Sequence, residues 1–146
     1  MAKVAEEILI EATLAEVWDA YFEPGRWPSW VDGFQAVVSS QGYPEAGGTL
    51  RWRSNPAGRG TVSERVLEHE PRHRHRVAFS DDASEGELLT TFTMQRQSVL
   101  VRQELSYELK EEKPLHRLTD RFFVRPRLRE SLARSLSRLG AEAADT

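Results

Sequence analysis

The sequence predicts an α+β domain in which a curved, seven-stranded antiparallel sheet wraps around one long C-terminal helix, with two short helices after the first strand. Three observations carry this. Beyond residue 33, six segments alternate apolar and polar residues with period two, as strands with one buried face do. The later segments are separated by short turns, which pairs them antiparallel as a meander. Only the stretch 114–140 is long and amphipathic at helical spacing, so it is the element available to cover the sheet's apolar face.

In chain order, residues 4–12 form a first strand with Ile8, Ile10 and Ala12 on one side and Glu7, Leu9 and Glu11 on the other. Thr13 followed by Glu16 is a capping box, opening a short helix through Leu14, Val17, Trp18 and Tyr21 that Pro24-Gly25 ends. A second short helix carries Trp27 and Trp30 on one side; Trp30 is a core plug, and Trp27 is either a plug or the wall of an opening. The second strand spans 34–40, with Phe34, Ala36 and Val38 on one face. Strands at 49–54, 61–70, 72–80, 87–95 and 98–109 follow. His73, His75, Val77 and Phe79 share one face of the fifth, and Leu88, Thr90, Phe92 and Met94 one face of the sixth. In the seventh, Val99, Val101, Gln103, Leu105, Tyr107 and Leu109 form the apolar side. Two leucine-bearing stripes then mark the C-terminal helix, Leu115, Leu118 and Phe122 in one piece and Leu128, Leu132, Leu136 and Leu139 in the other. The stripes are rotated from one another. Pro126, at the join, predicts a kink or break, and Gly140 a stop.

The 146 residues suit one domain over 1–146, large enough to bury a core without staples. The absence of cysteine excludes disulfides and thiolate metal sites and fits a cytoplasmic location. No apolar run resembles a signal peptide or a membrane span, so no stable membrane insertion is expected. A net charge of −3 gives no global attraction for nucleic acid. Between residues 114 and 139, however, Arg117, Arg121, Arg125, Arg127, Arg129, Arg134 and Arg138 face only Asp120 and Glu130. A solvated helix face is the expected reading, and a docking surface for an acidic partner the alternative.

Three stretches carry a resemblance. Residues 8–18, Ile-Leu-Ile-Glu-Ala-Thr-Leu-Ala-Glu-Val-Trp, lead into Trp27-Pro-Ser-Trp30. Val66-Leu-Glu-His-Glu-Pro71 is a strand ending in a Glu-Pro turn. Phe123-Val-Arg-Pro-Arg-Leu-Arg-Glu-Ser-Leu132 opens the last helix. Together they resemble the polyketide cyclase/dehydrase branch of the START-like (SRPBCC, Bet v 1-like) superfamily over essentially the whole chain. The resemblance implies a helix-grip fold and an internal cavity, open at one end, for an apolar small molecule. The loops 42–48 and 55–60 would stand near its mouth. No catalytic motif carries over by residue.

Within such a cavity, Thr90, Gln103 and Tyr107 are the polar groups expected to look inward, because each interrupts an apolar strand face. Trp27, Trp52, Phe92 and Phe122 complete the expected ligand-contacting set. The competing expectation is that the same side chains are satisfied inside a filled core. Glu64 is the one acid/base candidate, provided the face Val62, Glu64 and Val66 points inward. His73 and His75 share a strand face, but Arg72, Arg74 and Arg76 interleave them and oppose a dication, so paired surface histidines are expected and no metal site is assigned. The acidic turn 81–86 lacks the spacing of a calcium loop. No serine stands in a Gly-x-Ser-x-Gly elbow. No cofactor and no catalytic residue are assigned.

Three functions compete. The first is binding of a hydrophobic small molecule (a lipid, an aromatic compound or a polyketide-like chain) in the cavity between sheet and helix. The second is a polyketide cyclase or dehydratase using a cavity acid/base group. The third is a protein-interaction module. A homodimer is left open.

Overall fold

A computed structural model describes residues 1–55, 58–110 and 120–145. Seven strands form one antiparallel sheet: β1 (Ala2–Ile10), β2 (Phe34–Gln41), β3 (Thr49–Ser54), β4 (Thr61–Glu70), β5 (Arg74–Ser80), β6 (Ser84–Gln95) and β7 (Ser98–Leu109), in the spatial order β1-β7-β6-β5-β4-β3-β2. Helices α1 (Leu14–Phe22) and α2 (Trp27–Trp30) follow β1, joined by a 3-10 turn over Pro24–Arg26. A π-helical turn, Asp120–Val124, leads into α3 (Arg125–Ala144). This is a helix-grip arrangement. No helix among the described residues is long and apolar enough to cross a membrane.

Local chemistry accounts for the entry into α1. The Thr13 hydroxyl accepts from the Glu16 amide at 3.1 Å, and the Glu16 carboxylate accepts from the Thr13 amide at 2.9 Å, so two otherwise orphaned helix donors are satisfied. In α2, both tryptophans turn inward. Trp27 Nε1 donates to the Tyr21 carbonyl at 2.7 Å and Trp30 Nε1 to the Ala20 carbonyl at 3.0 Å. These bonds replace the partners that carbonyls lose at the C-terminus of α1.

The second helical stripe holds. Leu136 and Leu139 are buried, and Leu128 and Leu132 pack more loosely against the sheet. Pro126 lies in the first turn of α3, where its missing N–H costs nothing. Of the first stripe, Leu115 and Leu118 lie outside the described residues. Gly140 does not stop the helix, which runs on to Ala144. Its role is close approach: a Cβ there would stand 3.3 Å from Ile8 Cδ1 and 3.6 Å from Ile10 Cγ1, so glycine lets α3 seat against β1.

Three further expectations are corrected. β2 is an edge strand with almost no cover: Val38 is 47% exposed, and register shifts between Phe34 and Ala36 and between Val37 and Ser39 break its alternation. β5 starts at Arg74 because Arg72 takes φ 65° in the preceding turn. β6 starts at Ser84, within the acidic segment, because Asp81 Oδ1 accepts from the Ala83 and Ser84 amides and closes a tight turn early.

Candidate functional site

The inward faces of β3 to β7 and the buried side of α3 line a partly open cavity of about 120 Å³. A smaller lobe of about 60 Å³ adjoins it, sharing Arg59, Glu64, Val77, Leu88, Ser131 and Leu132 with the main lobe. Nearly every element contributes to the wall, among them Tyr21 from α1, Trp27 from α2, Trp52 from β3, Glu64 from β4, His75 from β5, Thr90 from β6 and Gln103 from β7. Tyr43 and Arg59, from the loops 42–48 and 55–60, complete one side.

Cross-strand register aligns the polar groups. His75 pairs with Thr90, and Thr90 pairs with Gln103, so three adjacent strands place a polar side chain at one level. Gln103 Nε2 donates to Tyr21 Oη at 3.1 Å, and Tyr21 Oη and Thr90 Oγ1 share a hydrogen bond of 2.8 Å. Burial pushes the Tyr21 phenol up to about 12, so it remains a neutral hydroxyl. Gln103 is 4% exposed, yet its Oε1 has no hydrogen-bond partner among the described residues.

His75 is also buried, at 3% exposure, and its Nε2 likewise lacks a partner among the described residues. Its Nδ1 lies 3.0 Å from Nδ1 of His69. The expected surface pair of His73 and His75 is therefore corrected. His73 sits in the exposed turn before β5, and the partner of His75 is His69. The cause is a bulge in β4. Val66 faces inward opposite Val77; the register then slips between Val66 and Glu68, so that His69, an odd number of residues on, also faces inward. Burial lowers the His75 pKa to about 3, and the neighbouring His69 adds to the effect, so the imidazole is neutral. Trp18 and Phe22 stack around His69, with ring centroids at 5.3 and 5.2 Å. No group of three or more ligating side chains suited to a metal ion occurs among the described residues.

Glu64 points inward, as the face Val62, Glu64 and Val66 requires. It lines the cavity, and Trp52 Nε1 donates to its Oε2 at 2.9 Å. Burial raises its pKa, opposed by the Trp52 hydrogen bond and by the charge of Arg59. Arg59 is itself committed. Its Nε donates to Asp81 Oδ2 at 2.8 Å, and its guanidinium lies 5.5 Å from the Trp52 ring centroid. Tyr43 is raised well above the usual phenol value by burial, with the Glu64 charge adding to it.

Of the side chains expected to meet a ligand, Trp27, Trp52, Thr90 and Gln103 stand in the cavity wall. The other three are elsewhere. Phe92 is buried behind the wall among Trp18, Tyr21 and Phe22. Tyr107 is buried in a second cluster with Val4, Phe79 and Leu105, and its hydroxyl donates to Asp120. Phe122 is 62% exposed, because the π-helical turn shifts its face away from the leucine stripe of α3. Alternation did not single out Tyr21, Tyr43, Arg59 or His75 for the wall. The first three come from a helix end and two loops; His75 carried a signal, its place beside Val77 on an inward face.

The arginines of α3 are largely paired. Arg134 Nη2 and Arg138 Nη1 reach Asp32 at 3.1 and 3.4 Å, Arg129 reaches Glu6 at 3.7 Å, and Arg125 reaches Asp120 at 3.2 Å. Asp32 also accepts from Ser131 Oγ at 2.7 Å, while its amide donates to Ser135 Oγ at 2.8 Å. This cluster fastens the end of α2 to α3 along the cavity.

The sequence matches, over residues 1–144, the family described as polyketide cyclase/dehydrase and lipid transport. No curated protein sequence matches it. Among solved structures it is similar to a protein from Thermus thermophilus at 19% identity and TM-score 0.72, covering 99% of this chain and 98% of that one. A Mesorhizobium loti protein aligns at 18% identity and TM-score 0.73, covering 99% and 98%. Truncated norcoclaurine synthase from Thalictrum flavum aligns at 15% identity and TM-score 0.66, covering 95% and 91%. At these identities the likeness is one of fold.

Proposed function

Because the chain belongs to the polyketide cyclase/dehydrase and lipid transport family, within the START-like (SRPBCC, Bet v 1-like) superfamily, we propose that it binds a hydrophobic small molecule in the cavity between the sheet and α3. One observation carries this reading. An aromatic-walled cavity is lined by Gln103 and His75, each with a buried polar atom, Oε1 and Nε2, that the described residues leave without a partner. Buried polar atoms are almost always satisfied, so such a pair in the wall of a cavity supports a site that a ligand completes. Native mass spectrometry of protein purified from its own host, compared with the denatured sample, tests it. A stoichiometric small molecule present only in the native spectrum is the expected result. A clean apo mass, with no uptake from a library of apolar compounds, would sink the reading.

A second reading is favoured by Glu64. A half-buried carboxyl group in the cavity wall, with its pKa raised, is suited to exchange a proton with a bound carbonyl compound. A cyclase or dehydratase acting on a polyketide-type chain would use it so. Glu64→Gln keeps an acceptor for Trp52 Nε1 and removes the proton transfer. Turnover of a β-keto thioester would fall by about a hundredfold or more in this variant with binding retained; equal turnover in wild type and variant excludes Glu64 as the catalytic group.

A further inference from the structure

We infer that the cavity takes a molecule with a protonated amine on an apolar body, the ammonium pairing with the Glu64 carboxylate and the body lying against the rings of Trp27, Tyr43 and Trp52. The inference rests on the first reading, of the cavity as a ligand site, and adds to it the sign of the ligand's charge and the group that anchors it.

The charge is read from the wall. The ordinarily charged side chains that line the two lobes are Asp32, Arg59, Glu64 and Asp81, so acids outnumber the base. Asp81 and Asp32 are already matched. Asp81 Oδ2 accepts from Arg59 Nε at 2.8 Å, and its Oδ1 is taken up by the Ala83 and Ser84 amides and the Ser84 hydroxyl. Asp32 accepts from Ser131 and pairs with the half-exposed Arg134 and Arg138. Glu64 is left. Its hydrogen-bond partner among the described residues is the neutral Trp52 Nε1, at 2.9 Å from Oε2. Arg59 is held away from it, bonded to Asp81 and lying over the Trp52 and Phe79 rings at 5.5 and 5.3 Å.

The anchoring atom is open to the space. Glu64 is half-buried, and its Oε1 neither accepts a hydrogen bond from the described residues nor stands among their buried unpartnered atoms. The two oxygens of a carboxylate are alike, so whichever of them Trp52 holds, the other calls for a donor. Burial raises the pKa of Glu64, which shows a carboxylate short of positive charge, and a bound cation supplies it. The surrounding rings suit both parts of such a ligand. Trp27 lies edge-on to Tyr43 at 5.8 Å, and Phe34 flanks Trp52 at 5.6 Å. Aromatic faces attract an ammonium group and bury an apolar body. Tyr43, with its pKa raised by burial and by the Glu64 charge, stays a neutral hydroxyl and adds no competing anion.

One apolar body with different head groups tests this. Benzylamine, benzyl alcohol and benzoate share a ring and differ in charge at neutral pH; hexylamine, hexanol and hexanoate repeat the series on a chain. Calorimetry and tryptophan fluorescence follow binding. In the tighter-binding series the amine is expected to bind about ten- to a hundredfold more tightly than the alcohol, the worth of a hydrogen bond to a charged group, with the acid weakest. Glu64→Gln, its fold checked by circular dichroism, should bring amine and alcohol within about threefold of each other; if that variant does not fold, the wild-type ratios decide. An alcohol that binds as tightly as the amine overturns the charge. An acid that binds most tightly overturns it too and makes Arg59 the anchor. A neutral or acidic molecule in the native mass spectrum does the same, and all of these leave the cavity a ligand site. Failure of every probe to bind overturns the inference and, joined to a clean apo mass in the native spectrum, the reading beneath it.

Discussion

The inner face of one sheet is used in two ways along its strands. At the level of Phe79 and Tyr107, apolar side chains meet Leu128, Leu132 and Val124, and the tyrosine hydroxyl is taken by Asp120. A few residues along the same strands, at the level of His75, Thr90 and Gln103, aromatic walls enclose polar atoms of which two have no partner among the described residues. In the first region the tyrosine hydroxyl is paired, and the one polar atom there without a partner among the described residues, Arg125 Nε, belongs to a partly exposed side chain beside Asp120. The second leaves hydrogen-bonding capacity unused in a dry place, a cost that a core selected for stability alone avoids. The difference separates a packed end from an end that borders a cavity, and it is there that the proposed ligand site lies.

Substitutions can break this contrast, beginning with the packed end. Gly86 pairs with both Phe79 and Tyr107, and a Cβ there would fall 1.9 Å from the Ser106 carbonyl oxygen. Backbone cannot yield as a side-chain tip can, so Gly86→Val should cost about 4 kcal/mol or more, read from the urea midpoint. A loss under about 1 kcal/mol would show that β6 and β7 move apart freely there.

At the open end the largest effect is on pH dependence. Folded His75 titrates at about 3, against an ordinary value of 6.5. Between these values the unfolded chain binds a proton that the folded chain does not. Stability is therefore full above about pH 6.5 and falls as pH drops, by up to about 1.4 kcal/mol per pH unit. His69, also lowered by burial, acts in the same direction. Glu64, whose pKa is raised, acts in the opposite one, losing stability as pH rises above its ordinary value of 4.5. Urea titrations from about pH 7 to about pH 5 should show the fall in wild type and a flatter profile in His75→Leu; parallel profiles would mean that His75 takes up its proton in the folded state.

Smaller effects sharpen the comparison. Tyr107→Phe removes a hydrogen bond to a carboxylate and should cost roughly 1.5–3 kcal/mol in thermal or urea unfolding. Gln103→Leu removes an unpaired acceptor together with the hydrogen bond that Nε2 donates to Tyr21 Oη, which keeps Thr90 as a partner, so stability should fall by about 1 kcal/mol despite equal burial. If Gln103→Leu proved as costly as Tyr107→Phe, the two ends would be equivalent, and the cavity would lose its special standing. Last, Gly140→Ala in α3 should gain up to about 1 kcal/mol from helix propensity, less whatever Ile8 must yield at 3.3 Å, measured as a shift in melting temperature.

By itself, the sequence determined the order and type of the elements, because period two, period 3.6, the Thr13–Glu16 box and the turns at Pro24-Gly25 and Glu70-Pro71 are local signals read over a few residues. It also determined that Trp52, Thr90 and Gln103 face inward, since no register shift interrupts the β3–β4, β5–β6 and β6–β7 pairings. Tertiary structure alone decided the rest. The bulge after Val66 reversed parity and brought His69 to His75; no periodicity crosses an inserted residue. The π-helical turn carried Phe122 out to solvent, and the edge position of β2 left Val38 uncovered, because burial depends on what lies opposite and alternation marks only the side. Gly140, a stop by composition, became a contact with β1 once α3 docked there. Whether Gln103 Oε1 finds a partner is the same kind of question, settled by side chains up to 82 residues away in the chain. Hydrogen-bond satisfaction and cavity volume are sums over neighbours, and the chain brings neighbours together only when it folds.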